Sequence, residues 1–136
     1  MKRNYINNIK KITFNKNVDS RGVLTSIEQK SDIPISIKRI FYMHQITANR
    51  GGHAHIETNQ VLIGISGKFT LDISDGKTSQ THKINNPMKG IYIPKMIYIN
   101  MLDFSKDAVC LVVADTHYDM KKNIHSWEEY LEIIKK

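Results

Sequence analysis

The chain has 136 residues, 40% of them hydrophobic, which fits a single globular domain that buries a core without disulfides. The single cysteine, Cys110, lies in an apolar segment, and we expect a buried, inert thiol. The formal charge of +7 allows an anionic partner, but the lysines are scattered, so we expect no nucleic-acid binding. Because neither a secretory leader nor a membrane-spanning apolar run is readable, we expect a cytoplasmic protein that does not bind membranes.

Short segments rich in β-branched and aromatic residues follow one another at intervals of about ten residues, with turn residues between them. In chain order, we predict one or two strands within residues 1–17, then strands over 23–28, 35–44, 50–55, 60–67, 68–73, 82–84, 91–93, 97–102 and 109–114. Helical spacing of apolar residues occurs only from about Ile124 to Ile134. This pattern predicts an all-β sandwich or barrel with a short C-terminal helix, in one domain spanning residues 1–136.

Residues 50–55, with the sequence RGGHAH, place two histidines one residue apart on a predicted strand. Since side chains alternate across a strand, His53 and His55 face the same side. The preceding glycines let the backbone turn sharply into this strand. Gln60 opens the next predicted strand, which is largely apolar. The sequence therefore predicts a histidine pair inside a β-rich body.

Three interpretations of the pair are open. The histidines can be ordinary core or surface residues, or they can bind a metal, as His-x-His does in small β-barrels of the cupin type with a following glutamate and a third histidine. Here Gln60 stands in the glutamate position, and residues 94–100 contain no histidine. The third interpretation is proton transfer, because imidazole titrates near neutrality. Side chains roughly 6 to 7 Å apart along a strand suit neighbouring carbons of one substrate.

In order and spacing, nearly the whole chain resembles the dTDP-4-keto-6-deoxyglucose 3,4-ketoisomerases. The matching segments are DSRGVL at 19–24, IP at 33–34, IKRIFY at 37–42, RGGHAH at 50–55, Gln60, Gly67, DG at 75–76, GIYI at 90–93 and residues 118–131. The resemblance implies a cupin jelly roll, a homodimer that exchanges N-terminal strands, no metal and no cofactor. It also implies an isomerase of deoxysugar biosynthesis, of the kind that serves O-antigen and lipopolysaccharide.

The implied reaction moves the C4 keto group of a thymidine-diphosphate-linked 6-deoxyhexose to C3 through an enediol, before 3-amination by another enzyme. On this basis we expect His53 to remove the C3 proton and His55 to act at C4, although the reverse order is open. Tyr42 is a candidate proton donor or relay. Cupin epimerases acting on the same substrate and non-catalytic sugar-binding cupins are the alternative functions.

Four further residues are candidate substrate contacts. Arg39 and Arg50 are expected to bind the pyrophosphate, because a guanidinium makes paired charge-assisted hydrogen bonds. Gln60 is expected to bond a sugar hydroxyl without holding a metal. The loop carrying Arg21 is expected to shape the face on which C4 is reprotonated, with the galacto product favoured.

Two segments depart from the family pattern. Residues 98–99 are Tyr-Ile where the family commonly has Trp-His, and residues 123–125 are Asn-Ile-His where it commonly has Tyr-Ile-Arg. We expect the second departure to concern a surface or dimer contact.

Overall fold

The computed structural model describes residues 3–135, which form twelve β-strands and one α-helix. The strands are β1 Lys10–Thr13, β2 Lys16–Asp19, β3 Gly22–Thr25, β4 Arg39–Met43, β5 Arg50–His55, β6 Gln60–Ser66, β7 Phe69–Ser74, β8 Ser79–Ile84, β9 Lys89–Ile93, β10 Tyr98–Leu102, β11 Val109–Ala114 and β12 Asn123–Ile124. The helix α1 spans Trp127–Ile134. The predicted all-β fold with a short C-terminal helix is confirmed.

Ten of the strands form two five-stranded antiparallel sheets, as in a jelly roll. The first sheet has the order β1-β9-β6-β11-β4, and the second has the order β12-β5-β10-β7-β8. Within residues 3–135, the remaining two strands, β2 and β3, pair only with each other in a separate hairpin. The site strands β5 and β6 therefore lie in opposite sheets, and their side chains can meet between them.

Apolar side chains from both sheets fill much of the space between the sheets. These residues, all buried, are Leu62, Phe69, Leu71, Ile73, Ile84, Ile91, Ile93, Ile97, Ile99, Met101, Cys110 and Val112. As predicted, the Cys110 thiol is buried, and burial raises its pKa to about 12, so it is not ionised near pH 7.

Helix α1 covers the outer face of the second sheet. Tyr130 is fully buried there beside Ala54 and Ile124, and its hydroxyl donates a hydrogen bond of 2.8 Å to the Met96 carbonyl oxygen. The Ser126 side chain accepts a hydrogen bond from the Glu129 amide and so begins the helix. Strand β5 is thus enclosed on both faces.

Several element boundaries differ from the prediction: β3 ends at Thr25 rather than at residue 28, and β8 begins at Ser79 rather than at residue 82. The predicted strand 35–44 begins at Arg39, because the segment before it crosses the outer face of the first sheet and buries Ile33 and Ile35 against Val61. The helix begins at Trp127 rather than near Ile124, because residues 123–124 pair with β5 as a strand. Among residues 3–135, no helix has the length and apolar character needed to cross a membrane.

Candidate active site

A cavity of about 340 Å³ lies between the sheets, next to the apolar core. It is lined by Phe41, Met43, Asn49, Arg50, Gly51, His53, His55, Gln60, Leu62, Ile99, Met101 and Val112. Four of these, Leu62, Ile99, Met101 and Val112, also belong to the core and form the wall between core and cavity. The polar side chains come mainly from β5 and from the start of β6.

Strand β5 directs both histidines into this cavity and Ala54 towards helix α1. The imidazole centroids of His53 and His55 lie 5.1 Å apart, with an angle of 78° between the rings. The β5–β10 register shifts just before His53, where Gly51 and Gly52 have positive φ values of 104° and 72°. A Cβ on Gly51 would lie 2.7 Å from the Ile99 carbonyl oxygen, so this bulge requires glycine.

Burial lowers the pKa of both histidines. For His53, a hydrogen bond with the Gly51 backbone opposes the effect of burial, while the positive charges of His125 and Arg50 add to it. For His55, which is 8% exposed, burial and then His53 lower the pKa from 6.5 to about 4. A base with a lowered pKa is unprotonated near pH 7, so both imidazoles are neutral and can accept a proton.

Two residues near the C-terminus contact this pair and were not predicted as site residues. The Asn123 Oδ1 atom lies 2.7 Å from His55 Nδ1, and the His125 ring centroid lies 6.4 Å from that of His53. Strand β12 places Asn123 opposite His55 in the register with β5. In the sequence, this segment was distinguished only by its departure from the family pattern. The expectation of a surface or dimer contact is wrong for Asn123, which lies beside His55.

Gln60 lies on the wall opposite the histidines and is 4% exposed. Together the three side chains offer two imidazoles and a neutral amide, a weaker set of metal ligands than two imidazoles and a carboxylate. Within residues 3–135, no three side chains of histidine, cysteine, aspartate or glutamate are grouped so as to hold a metal ion.

The two candidate arginines lie in different cavities. Arg50 lines the cavity described above, and its Nε atom lies 3.0 Å from the Met43 sulfur. Arg39 lines a second cavity of about 290 Å³, which His55 also borders. The Arg39 Nε atom is buried and has no hydrogen-bond partner within residues 3–135. The structure therefore brings Arg39 and Arg50 to separate sides of His55 rather than to one site.

Tyr42 and Arg21 line neither cavity. On β4, Phe41 and Met43 face the first cavity, so Tyr42 between them faces outwards and is 63% exposed. In the single chain Tyr42 therefore does not line the histidine cavity, and its role as a proton donor or relay stays a prediction. Arg21 lies in the turn between β2 and β3, where its Nη2 atom is 2.7 Å from an Asp19 oxygen and its side chain is 89% exposed.

Comparisons with known proteins agree with this fold. Residues 7–135 match the family model described as FdtA, WxcM-like, C-terminal. The chain is 36% identical over 129 residues to the TDP-4-oxo-6-deoxy-alpha-D-glucose-3,4-oxoisomerase of Aneurinibacillus thermoaerophilus, covering 93% of each chain. Two solved structures from Campylobacter jejuni are also similar.

The first, a TDP-fucose-3,4-ketoisomerase, is 36% identical with a TM-score of 0.87, covering 93% of this chain and 95% of the other. The second, a TDP-quinovose 3,4-ketoisomerase, is 35% identical with a TM-score of 0.89, covering 93% of this chain and 99% of the other. The matched residues, 7–135, span all the residues that line the histidine cavity. The chain therefore belongs to the sugar 3,4-ketoisomerase family of cupin proteins and is an isomerase.

Proposed function

We propose that the protein converts TDP-4-keto-6-deoxyglucose to the 3-keto isomer. The relative from Aneurinibacillus thermoaerophilus is named for this substrate and reaction. The observation that carries the proposal is a pair of imidazoles, with centroids 5.1 Å apart, on one wall of the cavity, where burial lowers the pKa of both. A ketoisomerase needs such groups because a proton next to a ketone is weakly acidic and a positioned base must remove it.

In this proposal the two histidines transfer protons through an enediol. His53 removes the proton from C3 while the C4 oxygen gains a proton, which leaves a double bond between C3 and C4. The C3 oxygen then loses its proton to His55, and His55 delivers a proton to C4. Each positioned acid or base of this kind contributes about 10²–10⁴-fold to the rate. Two imidazoles facing one cavity suit two adjacent carbons.

Gln60, Arg50 and Arg39 are the proposed substrate contacts. Gln60 lines the cavity, where its side-chain amide can form a hydrogen bond with a sugar hydroxyl. The amide is neutral and is a weaker metal ligand than a carboxylate. Since Arg50 and Arg39 border different sides of His55, a sugar held at the histidines extends its diphosphate towards one of them. KM is measured for Arg50→Gln and for Arg39→Gln. The variant with the larger increase in KM identifies the arginine that binds the diphosphate.

We also propose a homodimer that exchanges N-terminal strands. The β2–β3 hairpin pairs with neither large sheet, and it exposes Val18, Val23 and Leu24. Tyr42 is exposed on the outer face of the first sheet, and a second copy could cover these apolar surfaces. Sedimentation should give the mass of a dimer, and Leu24→Glu should shift the equilibrium to the monomer. A wild-type monomer would contradict this assembly.

The configuration of the product at C4 is a separate part of the proposal. We favour the galacto product, with the loop carrying Arg21 shaping the face of reprotonation. In one chain Arg21 lines no cavity next to His55, so this role requires the proposed second copy. The two Campylobacter jejuni relatives are named for different sugars, TDP-fucose and TDP-quinovose. NMR of the aminated product should show an axial C4 hydroxyl, and an equatorial one would contradict the assignment.

The test of the proposed function couples the isomerisation to 3-amination. Chelator-treated protein is incubated with TDP-4-keto-6-deoxyglucose and a sugar 3-aminotransferase that uses pyridoxal phosphate. We expect a TDP-3-amino-3,6-dideoxy sugar. Binding of the nucleotide sugar without turnover would favour a sugar-binding cupin instead, and activity that returns only with added metal would favour a metal enzyme. Epimerisation at C5 without a 3-amino product would identify an epimerase.

A further inference from the structure

On the basis of the proposed function, we propose that Asn123 is a positioning residue that sets the hydrogen on His55 at Nδ1 and thereby leaves Nε2 as the basic nitrogen. Nothing in the comparisons assigns a role to Asn123. At this position the chain also departs from the tyrosine that the family pattern commonly has.

The proposal rests on the orientation of the Asn123 side-chain amide, whose oxygen faces the imidazole. Asn123 Oδ1 lies 2.7 Å from His55 Nδ1, and an amide oxygen is only an acceptor. His55 Nδ1 is therefore the donor. Because neutral imidazole carries one hydrogen, Nε2 keeps a free lone pair and can accept a proton from a substrate. Without this bond, neither tautomer would be held.

The fold fixes Asn123 through the residues that follow it. Strand β12 aligns Asn123 with His55 and Ile124 with Ala54 on β5. Ile124 is fully buried beneath helix α1, beside Tyr130. The capped helix therefore holds the backbone of β12 against β5, and it keeps the Asn123 amide within reach of His55. The C-terminal segment thus acts on the site without lining the main cavity.

The surrounding charges explain why a neutral partner matters. His53 on β5, Arg39 on β4 and His125 after β12 all disfavour a positive charge on His55. The second cavity, which His55 borders, is also lined by the titratable residues Glu57, His117, Tyr118, Asp119 and Lys122. The Asn123 amide orients the imidazole but adds no negative charge. An aspartate in its place would pair with the imidazolium and favour the protonated form, which cannot act as a base.

The first test reads the tautomer directly and needs no substrate. In protein labelled with ¹⁵N-histidine, the wild-type His55 should show a protonated Nδ1 and an unprotonated Nε2 at neutral pH. Asn123→Leu should give a mixture of the two tautomers. A wild-type His55 protonated at Nε2 would overturn the assignment, whatever the variants do.

The second test is kinetic and separates positioning from a purely structural role. Asn123→Leu should lower kcat by about 10- to 100-fold, less than the complete loss of a general acid or base, with KM changed less than about threefold. Asn123→Asp, which keeps the shape of the side chain, should move the acid limb of the kcat/KM profile upwards by about one pH unit or more. Asn86→Asp is the control, because its side chain bonds the Met88 amide instead.

An acid limb that stays in place in Asn123→Asp would overturn the positioning role, as would an unchanged kcat in Asn123→Leu. The proposed function fails separately, if the wild-type protein does not turn over TDP-4-keto-6-deoxyglucose. In that case the tautomer of His55, measured without substrate, still supports or overturns the assignment of Asn123.

Discussion

The apolar core and the cavity occupy the same space between the same two sheets, yet their contents differ. In the core, β7 and β10 direct Leu71, Ile73 and Ile99 inwards, and these side chains fill the space. At the cavity, β5 directs His53 and His55 inwards after two glycines, so the space is partly open and polar. The same alternation of side chains produces both regions. The difference shows that the inward-facing residues of one strand, β5, determine where the space between the sheets is a polar cavity.

Strand β5 repeats this contrast between its two faces. Its inner face carries the histidines, whereas Ala54 on its outer face is fully buried under helix α1. Substitutions should therefore separate into two groups: those in the cavity should change turnover, and those in the core or under the helix should change stability. The predictions below test this separation, from the largest expected effect to the smallest.

Replacing either histidine should have the largest effect on turnover. In His53→Asn and in His55→Asn, we expect kcat to fall by about 10²–10⁴-fold, because each loses a positioned acid or base. Initial rates in the coupled amination assay measure the loss. The exposed His44 lies outside the cavity, so His44→Asn is the control and should keep wild-type rates. Equal losses of kcat in all three variants would contradict a specific role for the cavity histidines.

Replacing a core leucine should affect stability instead. Leu71 is fully buried, so Leu71→Ala should reduce the free energy of unfolding by about 3–5 kcal/mol through lost burial and a residual cavity. Chemical denaturation measures the change, and Leu102→Ala, at a half-buried position, should lose less. At temperatures where the variant is folded, kcat should stay within about threefold of wild type. This change is smaller than the loss of kcat expected when a general base is removed. A folded but inactive Leu71→Ala protein would contradict the separation.

The buried histidine should also make stability depend on pH. The pKa of His55 is about 4 in the folded protein, against an ordinary value of 6.5. Between these values the unfolded chain binds a proton that the folded protein does not, so stability falls as the pH decreases from 6.5 towards 4. The loss from His55 is at most about 3 kcal/mol, and it is absent above pH 6.5. The free energy of unfolding, measured by chemical denaturation at several pH values, should fall more steeply in wild type than in His55→Asn between pH 6.5 and 4. An equal pH dependence in the two proteins would contradict the lowered pKa.

The smallest effect concerns the contact under helix α1. Removing the Tyr130 hydroxyl in Tyr130→Phe leaves the Met96 carbonyl without its 2.8 Å hydrogen bond. We expect a loss of about 1–2 kcal/mol in the free energy of unfolding, with turnover retained. Thermal unfolding and initial rates measure the two effects. Tyr5→Phe, at an exposed position outside both cavities, is the matched control and should change neither. A Tyr130→Phe protein that is folded but has lost turnover would show that the helix affects the site by more than packing.

Much of the fold was readable from local patterns. The strand segments, the helical tail and the shared face of His53 and His55 follow from periodicity and turn residues, which act over a few positions. Gln60 was also singled out from sequence, because it stands where metal-binding cupins have a glutamate. Alternation on β4 likewise separates Tyr42 from Phe41. It does not tell which face lines the cavity, however, since both faces carry aromatic residues.

The remaining features depend on contacts between distant segments. Asn123 is 68 residues from His55 along the chain and reaches it through a strand of two residues. Such a short strand has no recognisable period, so its pairing is decided by the packing of Ile124 and helix α1. The separation of Arg39 from Arg50 likewise depends on how the sheets enclose His55. The sequence segments 37–42 and 50–55, which contain the two arginines, do not carry that information.

The central claim is that the histidine cavity isomerises the sugar by proton transfer. The most direct test is NMR of the isomerisation of TDP-4-keto-6-deoxyglucose in D₂O, with wild type, His53→Asn and His55→Asn measured side by side. We predict that wild-type protein incorporates deuterium at C4 of the 3-keto product and that both variants lose this activity. If the hydrogen from C3 arrives at C4 without exchange, as in a hydride shift, or if the variants react at the wild-type rate, the proposed proton transfer is wrong.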